Sequence, residues 1–344
     1  MIGKSKKVYV GLSGGVDSAV SAALLKQQGY EVTGVFIKGW YPPGLPCSWA
    51  EDRRDAMRVA ARLRIPFHTL DASLEYKKGV IDYLLAEYAR GRTPNPDVMC
   101  NREVKFGVFY EYAKKAGADF IATGHYAQTH SGGRLLRGND PAKDQSYFLW
   151  AIEPEPLAMT LFPVGGFVKG KTRELAKSFN LPVAEKRDSQ GICFLGSISV
   201  EEFLRAEFGT APGKAVDTDG NEVGIHDGVL LHTLGERISL VNAAPGPWYV
   251  SMKRILENVL VVSHTRETEV HDEGVALHEV NWFSGKAPEG VVEAQYRYHG
   301  PIVRGEIDSS GVFRSSESFP EPVAAGQSMV LYRGEQCLGG GIIG

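Results

Sequence analysis

The sequence predicts an α/β protein: a doubly wound parallel sheet, then a small β-rich central module and a C-terminal β-barrel. Three observations carry this reading. Through about residue 200, short β-branched runs alternate with helical stretches, the pattern of a parallel sheet whose ligands bind at the carboxyl ends of its strands. Beyond that point the helices give way to short alternating runs between Gly, Pro and Asp turns, as in barrels and sandwiches. The 344 residues, 43% apolar and 23% charged, suffice for two or three domains with their own cores. Boundaries near 200 and 265 divide the chain into 1–198, 199–264 and 265–344.

KKVYVGL (6–12) reads as the first strand, followed by a turn and a helix over 17–28 closed by Gly29. A second strand spans 31–37. Ser48 and Glu51 form a capping box that opens a helix through Arg64. A strand over 66–70, a helix over 73–90, an amphipathic helix from Asn101 to Ala116 and a strand over 119–123 follow. Ser199 and Glu202 make a second capping box for a helix over 200–208. The later strands are VLLHTL, PWYVSM, NVLVVS, VEAQYRYH, SMVLYR and CLGGGII. No apolar run approaches the ~18 residues of a membrane span, so no membrane partner is expected. The N-terminus reads as a strand and not a signal peptide, and four cysteines suit a reducing cytoplasm.

The formal net charge of −3 by itself disfavours a nucleic-acid partner, but it hides a split. Residues 1–200 carry 27 Lys+Arg against 20 Asp+Glu, while 201–344 carry 11 against 21. A polyanion is expected on the positive half, although two ordinary solvated surfaces have the same arithmetic. KGKTRELAK (169–177) is a basic helix start, a solvated face or a phosphate contact.

GLSGGVDS (11–18) sits between strand and helix. Gly14 and Gly15 permit close backbone approach, Ser13 and Ser18 supply hydroxyls, and the helix N-terminus offers unpaired N–H groups: an anion cradle. It lacks the lysine of GxxxxGK[ST], so it is not a Walker site. The string resembles the PP-loop of ATP pyrophosphatases, which implies a Rossmann-like first domain, ATP as substrate and Asp17 as partner of Mg²⁺ or simply a first-turn carboxylate.

GRTPNPDVMCNREVKFG (91–107) places Cys100 after a Pro-stiffened loop and just before a helix, beside Arg102 and Lys105. A thiol there should be pulled below its ordinary pKa of about 8.5. Asn95 adds an amide able to read a base edge, and Asp97 a carboxylate able to move a proton. KRDSQGICFLG (186–196) holds Cys193 in a Gly-flanked turn. Neither cysteine lies in a CxxC pair, so zinc is not expected. Two separate thiols suit sulfur transfer: a persulfide on one donates, and the other attacks it and ends as a disulfide. Cys47 and Cys337 read as structural.

With these strings in place, the chain resembles bacterial-type tRNA-specific 2-thiouridylases along nearly its whole length, through CSWAEDRRDAMRVAARL, GADFIATGHYA, KDQSYFLW and AGQSMVLYRGEQCLGGG as well. The resemblance implies ATP-dependent 2-thiolation of the wobble uridine in a tRNA anticodon stem-loop, with a cysteine desulfurase or relay protein as sulfur donor. It implies Cys100 as nucleophile, Cys193 as persulfide carrier forming a transient disulfide with Cys100, and Asp97 as candidate acid/base. It places ATP on Gly11, Leu12, Ser13, Gly14, Gly15, Val16, Asp17, Ser18, Ile37 and Gly124. The target base falls to Asn95, Pro96 and Asp97, and other tRNA contacts to His125, Lys143, Asp144, Gln145, Arg297, Tyr298 and Gln327. Two departures remove positive charge where RNA would pass: TLGERISL (233–240) with Glu236, where the family reads close to TIGQRKGL, and His299 after Arg297-Tyr298. The rival reading is a synthetase or amidotransferase of the GMP- or NAD-synthetase type, with no thiol requirement. If the basic helix start meets tRNA, substituting Lys169, Lys171 and Arg173 together should flatten the salt dependence of tRNA binding.

Overall fold

The computed structural model describes residues 5–42, 49–130, 133–187, 198–243, 245–266 and 273–344. Cys47, Ser48 with its expected N-cap, and Cys193 lie outside the described residues. The chain divides into two compact units. One comprises Met1–Ile81, Asp97–Gly196 and Tyr332–Gly339; the other comprises Asp82–Pro96, Ser197–Leu331 and Gly340–Gly344.

The first unit holds β1 (Lys7–Gly11), β2 (Glu31–Lys38), β3 (Phe67–Asp71), β4 (Phe120–Ala122), the hairpin β5 (Ala127–His130) and β6 (Arg134–Arg137), and β7 (Thr160–Leu161). A parallel sheet runs in the order β3-β2-β1-β4-β7. β1 is central because Val8 and Val10 are both fully buried; each such side chain stabilises the fold by roughly 1.5–3 kcal/mol. The chain leaves β1 toward β2 on one side and returns to β4 on the other. A crevice therefore opens between the carboxyl ends of β1 and β4, where such sheets bind ligands. The helix Val16–Gln27 covers the sheet with Val20, Ala22 and Leu25, and ends as expected at Gly29, whose φ is +90°.

The helix carrying Cys100 begins earlier than the sequence predicts. Pro96–Met99 is α-helical, Cys100–Val108 is π-wound and Phe109–Lys115 is α-helical again. Proline opens this helix because a first-turn residue has no helical partner for its N–H. Cys100 therefore lies beyond the first turn, where the dipole has faded, and the helix N-terminus faces Asp97 instead. The helix over 73–90 contains a similar π-wound stretch, Lys77–Asp82, between Ser73–Tyr76 and Tyr83–Ala89. The hairpin β5–β6, with no counterpart in the sequence reading, pairs Leu136 with Gln336 of the 332–339 segment in the same unit.

In the second unit, the Ser199–Glu202 capping box is complete and opens the helix Val200–Phe208. Next come β8 (Gly213–Val216), β9 (Glu222–His226), β10 (Arg237–Ile238), β11 (Trp248–Arg254) and β12 (Val259–Ser263), in the sheet order β10-β11-β12-β8-β9. Ala215, Trp248, Val250, Leu260 and Val262 form its core. The last strands are β13 (Val275–Trp282), β14 (Val292–Gln295), β15 (Ile302–Ile307), β16 (Val312–Ser315), β17 (Ser328–Arg333) and β18 (Gln336–Ile343). They close into an antiparallel barrel, β13-β16-β15-β14-β17-β18, through pairing of β13 with β18. VLLHTL is not a strand: Val229–Leu231 is a 3₁₀ turn with Val229 and Leu231 buried. A fully buried apolar run has the same sequence pattern in either conformation. VEAQYRYH is a strand only as far as Gln295; Arg297–Gly300 is a turn.

Glu236, half-buried, is bonded within the central module. Its carboxylate accepts the Thr233 N–H at 2.8 Å and lies 3.2 Å from His232 Nδ1, while Asp227 lies 2.8 Å from His232 Nε2. Lys253 donates to the His232 carbonyl at 2.6 Å, and burial brings its pKa down to about 8 against the pull of Glu236. Burial also opposes charge on His232, but hydrogen bonds to Glu236 and Asp227 outweigh it and raise the imidazole above 6.5. Protonation of His232 thus stabilises the folded state fully below 6.5, and this contribution is lost as pH rises through the folded value. Urea unfolding of wild type and His232→Gln should show a wild-type advantage near about pH 6 that shrinks by about pH 8. A difference independent of pH would contradict it.

Candidate nucleotide and thiol site

The 11–18 loop leaves β1 at Gly11 and enters the helix at Val16, at the carboxyl edge of the sheet. Its conformation is set by its own serines: the Ser13 N–H donates to Ser18 Oγ at 3.2 Å, the Gly15 N–H to Ser13 Oγ at 3.3 Å, and Ser18 Oγ to the Gly15 carbonyl at 3.3 Å. Leu12 and Val16 are core residues, so they can offer a nucleotide only their backbone. Gly14 has φ +81°, and a Cβ there would lie 2.3 Å from the Asp52 carbonyl oxygen. Gly124, just past β4, would meet the Ser18 nitrogen at 2.6 Å. Both positions need glycine because backbone packs directly on backbone. Ile37 lies at the carboxyl end of β2, beside Gly11.

Asp17, in the first turn of the helix, is engaged. Lys169 Nζ donates to both its oxygens at 2.7 and 2.8 Å, and the Tyr126 hydroxyl to Oδ1 at 2.9 Å. The basic stretch 169–177 is thus not one phosphate-facing row: Lys171 pairs with Glu174 at 3.0 Å and Arg173 donates to the Lys186 carbonyl at 3.0 Å. Lys186 bridges Asp52 at 2.9 Å and Asp55 at 2.7 Å, which ties the start of the KRDSQG segment to the helix that braces Gly14. Burial opposes the Lys186 ammonium, but these two hydrogen bonds raise its pKa above 10.5.

On the Pro96 helix, Asp97 is half-buried and Cys100 buried. Desolvation raises the Asp97 carboxyl above its ordinary value, with the Lys105 ammonium pulling the other way. Asn101, 2% exposed, donates to the Phe148 carbonyl at 2.9 Å, and its buried Oδ1 has no hydrogen-bond partner among the described residues. His125 hydrogen-bonds Thr123 Oγ1 at 2.7 Å and packs between Phe106 and Phe162. Burial and then Lys105 hold its pKa well below 6.5, so it is neutral near pH 7. Among the described residues no three His, Cys, Asp or Glu side chains cluster as a metal site.

Family models match the chain in three consecutive stretches: a tRNA methyl transferase HUP domain at 6–197, its PRC-barrel domain at 201–264, and an aminomethyltransferase β-barrel domain at 272–343. The tRNA-specific 2-thiouridylase MnmA of Escherichia coli O1:K1 / APEC is 43% identical over 98% of this chain and 97% of its own length. That of Shigella boydii serotype 18 matches to the same extent, 43% over 98% and 97%. The chain belongs to the tRNA-specific 2-thiouridylase family. Among solved structures, the U34-tRNA thiolase NcsA from Methanococcus maripaludis with its [4Fe-4S] cluster overlaps 59% of this chain and 63% of its own, at 15% identity and a TM-score of 0.37.

In this thiouridylase, several positions matched to tRNA contacts have internal partners. Asp144, 8% exposed, accepts from the Gly138 and Ser146 N–H groups at 2.8 and 3.0 Å, from Ser146 Oγ at 3.0 Å and from Arg137 at 3.2 Å. Gln145 exchanges hydrogen bonds with the Tyr126 backbone at 2.9 and 2.8 Å, and Lys143 is half-buried. In the second unit, Arg297 pairs with Glu321 at 3.0 Å, and Tyr298 packs against His299 with ring centroids 4.0 Å apart. Gln327 Nε2 donates to the Thr93 carbonyl at 2.8 Å, and the Thr93 N–H donates to Ala325 at 2.8 Å, so this stretch shapes the loop before Asn95 and Pro96. Lys169, Tyr126 and Lys186 belong to the site although sequence alone assigns none of them a role there: Tyr126 and Lys186 stand only as members of GADFIATGHYA and KRDSQGICFLG, and Lys169 as one charge in a basic stretch.

Gly14→Ala should lose at least about 1 kcal/mol to the left-handed backbone alone, before the clash with Asp52. It should also abolish the thermal shift that ATP produces in wild type, and an undiminished shift would show that the loop tolerates a Cβ.

Proposed function

We propose that this enzyme thiolates C2 of the wobble uridine in tRNA at the expense of ATP. The C2 carbonyl oxygen attacks the α-phosphorus and pyrophosphate departs, which converts that oxygen into an AMP leaving group. Sulfur from a persulfide on Cys193 then replaces AMP at C2. Cys100 attacks the persulfide, so each turnover consumes one ATP and one persulfide sulfur. It leaves 2-thiouridine, AMP, pyrophosphate and a Cys100–Cys193 disulfide, which a thiol reductant opens before a sulfur donor reloads Cys193. The observation that carries this reading is 43% identity to 2-thiouridylases over 98% of the chain. The rival synthetase of the GMP or NAD type would leave Cys100 and the β-rich modules without a task.

The geometry supports roles for particular residues. The Ser13–Ser18 loop and the helix N-terminus suit ATP phosphates. Asp97, whose carboxyl is raised above its ordinary value by burial, is the acid/base. A target uridine, extruded from the loop of the RNA, falls to Asn95, Pro96 and Asp97. Lys143 in the first unit and Arg297 and Tyr298 in the second are contacts for the rest of the tRNA, while Asp144 and Gln145 hold the chain around Lys143 and Gln327 holds the loop at Thr93. The division 1–198, 199–264 and 265–344 gives the chemistry and the target base to the first part, a tRNA contact to the central module, and a β-barrel to the last. Mg²⁺ fits this donor set only as an ion that stays on ATP phosphates and takes one carboxylate, Asp17; it would neutralise phosphate charge there.

The test is transfer of radiolabelled sulfur from a cysteine desulfurase to tRNA with ATP. Cys100→Ser and Cys193→Ser should each abolish transfer, and activity retained in both would overturn the mechanism. Asp97→Asn should lower kcat by about 10²–10⁴ and remove one limb of the pH–rate profile.

A further inference from the structure

Among the described residues, Leu256 is the most exposed large apolar side chain, fully in water at the tip of the β11–β12 hairpin. A bulge between Val250 and Met252 shifts the register of β11. Met252 and Arg254 therefore face solvent beside Leu256, while Lys253 turns inward to the His232 carbonyl. A solitary exposed leucine is ordinary, but this one stands on a tip that is held on two sides. Asn258 closes the turn at φ +52°; its side-chain amide donates to the Ala211 and Pro212 carbonyls at 2.8 and 3.2 Å and accepts the Val229 N–H at 3.3 Å. Ile255 packs on Gly91, where a Cβ would lie 2.5 Å from its Cδ1. Gly91 belongs to the segment Asp82–Pro96 of the same unit. It precedes Asn95 by four residues, at most about 14 Å of extended chain. Arg90 and Arg92 flank it, drawn toward the buried Glu87 carboxylate at 2.8 and 3.5 Å yet 67% and 37% exposed. Glu257 lies 3.8 Å from Arg254, too far for a hydrogen bond.

We propose that Leu256 is an RNA wedge, packing against the nucleobase beside the extruded uridine, with Arg254 and Arg90 on the neighbouring phosphates. This rests on the reading of Asn95 and Pro96 as the seat of the target base, and adds a residue that steadies the emptied stack. Extruding one base leaves its neighbour without a stacking partner, and an apolar side chain set there replaces the lost contact. The hairpin is ordered before RNA arrives, so little further entropy is lost on binding. The basic rim around the tip suits a polyanion and not an apolar protein surface.

Steady-state thiolation and tRNA binding at several salt concentrations test this with wild type, Leu256→Ser, Leu256→Met and Arg90→Gln. An anticodon stem-loop with 2-aminopurine beside the target uridine reports on the neighbouring base. Leu256→Ser should raise KM for tRNA about fivefold to twentyfold and leave KM for ATP unchanged. Leu256→Met should recover most of the affinity. The salt slope should stay the same in both, since neither side chain releases counterions, whereas Arg90→Gln should lower it by about one. Emission from 2-aminopurine should rise less with Leu256→Ser than with wild type. Unaltered KM for tRNA in Leu256→Ser overturns the proposal, and so does an equal rise in emission. A raised KM for the cysteine desulfurase alone also overturns it, by placing the leucine against the sulfur donor. A wild type that binds the tRNA but leaves the uridine unthiolated overturns the reading of the site, and the proposal with it.

Discussion

Direct contact of backbone with backbone around the first loop is the constraint on which the site depends. Gly14 rests on the carbonyl of Asp52, and Gly124 rests on the nitrogen of Ser18. With no Cβ at either position, the turn after β1 sits between the helix that follows β2 and the chain leaving β4. The helix N-terminus then lies at the switch of the sheet and brings its partial charge there. The serines fix the shape of the loop, and the glycines fix its depth.

Electrostatics follows from this packing. A carboxylate in the first turn of a helix is favourable by itself, but beside an anion cradle it is a liability, and the fold answers it with Lys169 and Tyr126. Lys186 plays a comparable part at the rim, held between Asp52 and Asp55. Lys105 acts on two groups at once, lowering the pKa of buried His125 and opposing the rise in Asp97. The excess of basic residues in the first half of the chain is therefore not simply a surface field. Part of it is spent on neutralising carboxylates around the crevice.

Much of the fold was legible because local and global preferences agree. The strand–turn–helix at 6–28, the Gly29 stop and the Ser199–Glu202 box each combine pattern with punctuation, and the structure has all three. Misreadings arose where packing outweighs local pattern. Val229–Leu231 is buried like a strand but wound as a turn, and β5–β6 is stabilised by a partner near residue 336. The start of the Cys100 helix was misplaced because proline was read as a loop residue, although its ring suits a first turn. In the site, the loop and Cys100 were legible as motifs. Lys169 was not, because its role depends on a contact 152 residues distant.

The hydrogen bond from Gln327 to Thr93 spans 234 residues. Closing so long a loop costs conformational entropy that no local contact offsets. During synthesis, the segment that leads into Asn95 and Pro96 emerges long before the amide that holds it. The residues of the nucleotide cradle, from Gly11 to Lys169, have all emerged while the substrate-side loop is still unset. The order of synthesis thus separates the two halves of the chemistry in time, and a chain cut short before its last strands would lose the hold on Asn95 and Pro96 together with the 332–339 segment of the first unit.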